Sequence, residues 1–313
     1  MKSIKDTLNN ISNKSRFESE YERFKEAVLG DPYVKDFLEK NRPFLNKKIF
    51  DSGMLKLYEY STASKECQDC PSLGECKNII KGYHPQLYLK NKQTIELEYS
   101  KCPSKVQHDM QKEMQNKIKS VYIPSDLLKA SIHDIYEDDA NRFRIKQLVW
   151  EFIESYEEKQ QVKGLYISGG FGVGKTFILC AIANELAAIK NTESMIVYFP
   201  EFIRELKGVM GSDDLFNKKL DAAKRTPVLM LDDIGAESMT SWMRDEILGP
   251  ILQHRMMERL PTFFSSNLSM KELLRHYTYS QKGEEEGIKA QRIMERIRFL
   301  ASEIELIDVN RRG

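Results

Sequence analysis

Eight consecutive residues, Gly169-Gly170-Phe171-Gly172-Val173-Gly174-Lys175-Thr176, fit the pattern G-x-x-x-x-G-K-[ST]. Residues of these types at this spacing bind phosphate. The glycines let backbone N–H groups converge on phosphate oxygens, and the N-terminus of a following helix adds partial positive charge. Lys175 then reaches the β- and γ-phosphates and Thr176 offers its hydroxyl to Mg²⁺, with Phe177 opening the helix behind them. Such a site needs a carboxylate at the end of a neighbouring buried strand. Val228-Leu229-Met230-Leu231-Asp232-Asp233 supplies two. Asp232 is expected to hold the hydrated Mg²⁺ and Asp233 to orient or deprotonate the attacking water, because phosphoryl transfer asks for little beyond positioning and charge compensation. A third strand, Thr262-Phe263-Phe264-Ser265-Ser266-Asn267, ends in an amide that can bond the γ-phosphate or the water, or can simply turn the chain.

A second cluster is made of cysteines. Cys67, Cys70, Cys76 and Cys102 lie within 36 residues, whereas Cys180 stands alone. In a reducing cytosol such a cluster reads as a metal site before it reads as disulfides. A C-x-x-C turn brings two thiolates to about 2.3 Å from one Zn²⁺, and a distant pair closes the tetrahedron. The expected ligands are Cys67, Cys70, Cys76 and Cys102, with His84 as the alternative to Cys76. An iron–sulfur cluster and free buried thiols are the rival readings. Zinc fits a small domain whose apolar inventory is modest, since metal binding can supply folding free energy.

The elements that must carry these residues are legible in outline. Phe17, Tyr21, Phe24 and Val28 recur at helical spacing until Gly30-Asp31-Pro32, after which Val34, Phe37 and Leu38 resume a similar face. Ile95 to Pro103 alternates as a half-buried strand does. The polar stretch from Ser104 to Ser120 reads as an interdomain linker that can be helical. Beyond it strands at 164–170, 195–199, 228–233, 262–267 and 304–309 alternate with helices, among them about 176–188 and one within 241–259. Apolar strands separated by helices imply a parallel sheet covered on both faces. The expected organisation is therefore a small α+β zinc-binding domain over 1–106, a linker over 107–125 and an α/β P-loop domain over 126–313. Trp242, Ile247, Leu248, Ile251 and Leu252 read as one helix core face, Cys180 as a small core residue, and Glu284-Glu285-Glu286 as a solvated loop.

Composition sets outer limits. With 48 basic and 47 acidic residues the formal charge is +1, which argues against whole-molecule attraction to nucleic acid, though not against a local basic patch. The first 106 residues carry +4 and the rest −3. A hydrophobic content of 41% suffices for real cores. No apolar run reaches the roughly 18 residues of a spanning helix, and the first residues hold no continuous apolar stretch. A cytoplasmic protein with no membrane attachment is expected.

A P-loop, an Asp-Asp strand end, an Asn-ended strand and an Arg-bearing helix in this order resemble an AAA+ ATPase over roughly 126–313. LDDIGAE, FFSSNL and RIMERI are similar to the helicase-loader and initiator branch of those enzymes. The whole chain, with its cysteine-bearing amino-terminal part, resembles the bacterial primosomal helicase loaders. That resemblance implies that Gly169 to Thr176 are Walker A, Asp232 and Asp233 Walker B, and Asn267 sensor 1. It implies an arginine finger among Arg292, Arg296 and Arg298, donated to the neighbouring subunit. Arg296 is preferred, because Ile293, Ile297 and Leu300 form an apolar stripe with Arg292 and Arg296 on its flank. The implied activity is ATP hydrolysis in the service of delivering a hexameric replicative DNA helicase to single-stranded DNA, with other primosome proteins and a self-oligomer on the helicase. The amino-terminal domain would grip the helicase. IstB-like transposition ATPases and a nucleotide-binding adaptor without useful turnover are the alternatives. Asp233 stands where AAA+ motors usually carry Glu, which suggests slow, switch-like hydrolysis. The short stretch after IELIDV leaves no room for a full helical lid, so no sensor 2 arginine is assigned.

Overall fold

A computed structural model describes residues 20–65, 70, 72–156, 162–238, 240–279 and 286–311. The chain divides into two compact units, Met1–Gln111 and Lys112–Gly313.

In the first unit helices α1 (20–30), α2 (Pro32–Lys40) and α3 (Lys47–Thr62) accompany the antiparallel hairpin β1 (Tyr83–Lys90) and β2 (Thr94–Lys101). Asp31 separates the first two helices. Its carboxylate accepts from the N–H groups of Tyr33 and Val34, capping α2. Val28, Val34, Phe37, Ile49, Met54, Leu57 and Ile95 form the small core, so the expected helical face and alternating strand meet in one cluster. The division between the units falls inside helix α4 (Pro103–Asn116).

The second unit is built on a six-stranded parallel sheet. Its strands are β3 (Ile118–Val121), β4 (Gly164–Gly169), β5 (Ser194–Tyr198), β6 (Val228–Asp232), β7 (Thr262–Ser266) and β8 (Ala301–Leu306), in the order β3-β5-β6-β7-β4-β8. Helices α5 (Ala140–Ser155), α6 (Lys175–Ile189), α7 (Phe199–Gly208), α8 (Asp213–Arg225), α9 (Gly249–Met257), α10 (Met270–Thr278) and α11 (Gly287–Leu300) complete it, with a π-helical turn, Met243–Leu248, leading into α9. The sheet is buried on both sides. Leu229 and Leu231 of β6 enter one core cluster, while Val228 and Met230 enter the other. Ile247, Leu248, Ile251 and Leu252 are core residues, as their pattern predicts, and Cys180 is buried.

Three expectations need correction. The stretch 107–125 is not simply a linker, because β3 lies within it and pairs with β5 along the sheet edge. The strand expected at 304–309 runs instead from Ala301 to Leu306. Its last partner is Gly169, where β4 turns away into the phosphate loop, so Ile307 and Val309 have no strand to pair with and are exposed. Glu286 is no solvated loop residue, since its carboxylate binds Arg244 and Lys289 and is thereby held down to about 2. Glu284 and Glu285 lie outside the described residues.

Candidate nucleotide site

Three neighbouring strands end side by side, β6, β7 and β4, and the crevice beyond the carboxyl ends of such strands is where ligands bind in open α/β sheets. Here it is a cleft of about 950 Å³. The loop leaving β4 takes left-handed backbone at Gly172 (φ 76°) and Gly174 (φ 100°), conformations that L side chains adopt only with strain. Gly174 directly precedes α6, which aims its N-terminus into the cleft. Val173 is buried, while Phe171 stands 74% exposed at the cleft mouth and Phe177 lines its wall.

Lys175 is 8% exposed, and its Nζ donates to the carbonyls of Gly169 (2.9 Å) and Gly170 (2.7 Å) and to Oδ1 of Asn267 (2.7 Å). The amide of Asn267 turns its Nδ2 to Asp233 Oδ1 at 2.9 Å. A polar chain thus runs from Lys175 through Asn267 to Asp233. Beside it the Thr176 hydroxyl lies 3.0 Å from both carboxylate oxygens of Asp232. Asp232 is 3% exposed, and burial pushes its carboxyl above the usual range against the opposing pull of the Ser265 and Thr176 hydroxyls. A buried carboxylate next to a hydroxyl is the oxygen donor set that suits Mg²⁺.

Ser265 escaped the sequence reading. Its hydroxyl donates to Asp232 Oδ1 (2.5 Å) and accepts from the Asp233 N–H (2.9 Å), fixing both acids from the neighbouring strand. The signal was the pair Ser265-Ser266, two hydroxyls fully buried in an otherwise apolar strand. Glu237 was missed as well. It is 7% exposed, its carboxylate accepts from the Gly235 N–H and the Tyr277 hydroxyl, and burial pushes it up to about 7.

Arg296 is not part of this cleft. It lies in a second one of about 390 Å³ with Arg244, Lys289 and Arg292, and its Nη1 donates to the Gly249 carbonyl at 3.0 Å. Burial and the neighbouring Arg292 lower its pKa. Arg298 is exposed on another side of α11.

Among the described residues no three His, Cys, Asp or Glu side chains gather as a metal site. Cys67 lies outside the described residues. The remaining candidates nevertheless have donors of the right kind. Cys76 Sγ accepts from the Gly82 N–H and Cys102 Sγ from the Lys105 N–H, each at 3.4 Å. Backbone N–H groups of Gly82 and Asn78 lower the pKa of Cys76 and so favour its thiolate. The Cys102 N–H reaches the Gly82 carbonyl at 2.8 Å, which brings the two cysteine segments together. His84 Nδ1 is buried without a hydrogen-bond partner among the described residues. Cys70 Sγ faces the Ser72 carbonyl at 3.4 Å.

Residues 1–99 match the family model described as the primosomal protein DnaI N-terminus, and residues 95–312 match that of the AFG1-like ATPases. The chain is 49% identical over 312 residues to the replicative helicase loader DnaI of Bacillus subtilis (strain 168), covering 100% of this chain and 99% of that one. A crystal structure of DnaI, 50% identical, superimposes with a TM-score of 0.57 over 64% of this chain and 100% of its own. The DnaC helicase loader, at 20% identity and a TM-score of 0.50 over 58% of this chain and 99% of its own, shares the fold. The second unit has an AAA+ ATPase fold, and the chain belongs to the DnaI family of replicative helicase loaders.

Proposed function

We propose that the chain is an ATP-dependent loader that binds the hexameric replicative helicase and delivers it to single-stranded DNA, with ATP state as its release signal. The observation that carries the reading is the polar chain Lys175–Asn267–Asp233 lying beside the Thr176–Asp232 pair in one cleft, in a protein related end to end to a helicase loader. In this reading the loop from Gly169 to Thr176 cradles the phosphates, and Lys175 exchanges its carbonyl partners for phosphate oxygens. Thr176 and Asp232 would hold Mg²⁺, which when bound neutralises charge on the β- and γ-phosphates. Asp233 orients the water, whose oxygen bonds to the γ-phosphorus as the bond to the bridging oxygen breaks. The electron pair leaves with ADP, and the water proton passes to the carboxylate.

Asn267 contacts both the lysine and the acid, so it can report which of them is engaged. Asp233 is one methylene shorter than Glu, which supports slow, switch-like turnover. Arg296 or its neighbour Arg292 would complete the γ-phosphate shell of an adjacent subunit in a self-oligomer on the helicase. The unit of roughly 1–106 serves as the helicase handle. A Zn²⁺ held by Cys67, Cys70 and Cys102 with Cys76 or His84 would stabilise it, supported by the paired N–H···S bonds and by a buried His84 nitrogen that has no hydrogen-bond partner among the described residues. The protein would act in the cytoplasm alongside other primosome proteins.

The test is ATP turnover by the full chain, with and without single-stranded DNA and helicase, for wild type, Lys175→Ala and Asp233→Asn. The reading requires turnover that both substitutions abolish, with nucleotide binding retained by Asp233→Asn alone. Equal background rates in all three would overturn it.

A further inference from the structure

The cleft is closed on one side by residues that belong to none of the motifs above. Two carbonyls of the phosphate loop are tied to distant parts of the chain. The Arg311 N–H donates to the Gly172 carbonyl at 3.0 Å, and the Arg142 guanidinium Nη2 donates to the Val173 carbonyl at 2.7 Å. Arg142, on α5, is 4% exposed. Its other edge is paired with Asp308, whose side chain is itself 7% exposed. Asp308 also accepts from Nε of Arg311 at 2.6 Å, and Arg311 pairs further with Asp138. The Arg311 guanidinium lies 4.5 Å from the centre of the Tyr136 ring, and Tyr136, Arg142 and Arg311 all line the cleft. Asn141 fastens the same segment one residue earlier, accepting from the Ile307 N–H at 3.1 Å and donating to the Glu305 carbonyl at 2.7 Å.

These ties act on the peptide groups that matter. A peptide is planar and trans, so its C=O and N–H point in opposite directions. The Gly172 carbonyl shares its plane with the Val173 N–H, and the Val173 carbonyl shares its plane with the Gly174 N–H. With both carbonyls fixed on Arg311 and Arg142, the directions of the Val173 and Gly174 N–H groups are fixed as well, opposite to them. The segment also packs close against Gly172, where a Cβ would meet Asn310 Oδ1 at 1.9 Å.

We infer that Arg142 and the segment Asp308–Arg311 are positioning elements of the nucleotide site: a strap and a buried strut that set the phosphate loop from within the same subunit, and that build the wall beside Tyr136 where a helical lid is absent from the described residues. The inference rests on reading the cleft as the nucleotide site. Loop N–H groups contact phosphate in ground state and transition state alike. Their misplacement should therefore weaken binding and raise KM while leaving kcat in place.

The experiment measures affinity of the full chain for fluorescent N-methylanthraniloyl-ADP, then KM and kcat for ATP. It compares wild type with Asp308→Asn, Arg142→Lys and Arg311→Ala, with Lys175→Ala as the reference for lost binding. Arg311 has a side chain 26% exposed, so its truncation spares the core and keeps the test decisive if the buried variants fail to fold. Each folded variant should bind about tenfold more weakly; Arg311→Ala keeps its backbone N–H for Gly172 and acts by releasing the segment from Asp308 and Tyr136. KM should rise in parallel and kcat should stay within about twofold. Because Asp308 and Arg142 act through one another, Asp308→Asn combined with Arg142→Lys should cost little more than either alone. Wild-type affinity in folded Asp308→Asn and Arg311→Ala, or a fall in kcat at constant KM, overturns the inference. If wild type binds no nucleotide, or binds it independently of Lys175, the nucleotide reading falls and takes this inference with it.

Discussion

Glu237 gives the fold a calculable pH dependence. Its carboxyl is 7% exposed, packed against the Tyr277 hydroxyl, with the negative charge of Asp233 adding to the effect of burial, and it is pushed from an ordinary 4.5 up to about 7. Below pH 4.5 it is protonated whether the chain is folded or not, and it contributes nothing. Between 4.5 and 7 the folded protein retains a proton that the unfolded chain has released, so stability falls as pH rises. Above 7 the loss is complete, and at 1.36 kcal/mol per pH unit it amounts to about 3 kcal/mol. Glu237→Gln removes the titration while keeping an oxygen for the Gly235 N–H and turning its amide N–H to the Tyr277 hydroxyl, which can accept as well as donate. The assay is urea unfolding of the full chain followed by tryptophan fluorescence. Both tryptophans, Trp150 and Trp242, lie in the second unit, so the signal reports the unit that holds Glu237. The variant should gain on wild type from about pH 5 to pH 7 and then level off, by about 3 kcal/mol at the plateau. A stability difference that stays constant over that range would refute the reasoning, because every other titrating group is common to both proteins.

Other outcomes follow from the same geometry. Asn267→Ala removes the amide that joins Lys175 to Asp233, so hydrolysis should fall about 10²-fold with nucleotide affinity near wild type, measured by single-turnover kinetics and equilibrium binding. Arg296→Ala should lower turnover by up to about 10³-fold without loss of ATP binding. Mixing it with Lys175→Ala chains should restore activity at interfaces that pair an intact cleft with an intact arginine; no recovery in an assembly shown to mix would leave Arg296 a structural role. Arg255, fully buried, donates to the carbonyls of Ala223, Thr226 and Pro261 and to the Thr262 hydroxyl, so Arg255→Leu should cost about 3 kcal/mol or more in the same urea assay. Elemental analysis should find one zinc per chain, and Cys102→Ser should lose it while nucleotide binding persists.

Much of the second unit can be read from sequence because its strands are buried on both faces. Val228 to Leu231 must all be apolar when alternate residues enter opposite cores, and the acids that follow mark the strand end. The phosphate loop is legible for a similar reason, since its left-handed positions restrict side chains. Ser265 was legible only as two hydroxyls out of place in a core strand. Arg142 and Asp308 left no trace, because 166 residues separate them and neither type nor spacing ties a helix arginine to a loop carbonyl. Helix α5 was missed for a related reason: its buried side includes Arg142 beside Ile145, Val149 and Phe152, which blurs its apolar period. The edge strand β3 is too short and too polar to announce itself, and only its parallel pairing with β5 makes it a strand. The cysteine spacing points to a chemistry, but the choice between Cys76 and His84 depends on a local fold that spacing does not encode.

The central claim is that this chain is a nucleotide-governed helicase loader, and native mass spectrometry of the full chain mixed with its host's hexameric replicative helicase and Mg²⁺-ATP tests it most directly. The account predicts a complex of the helicase hexamer with several copies of this chain, present for wild type and altered in occupancy or stability for Lys175→Ala. Free hexamer and free chain in the wild-type mixture, or identical complexes with and without a working cleft, would contradict it.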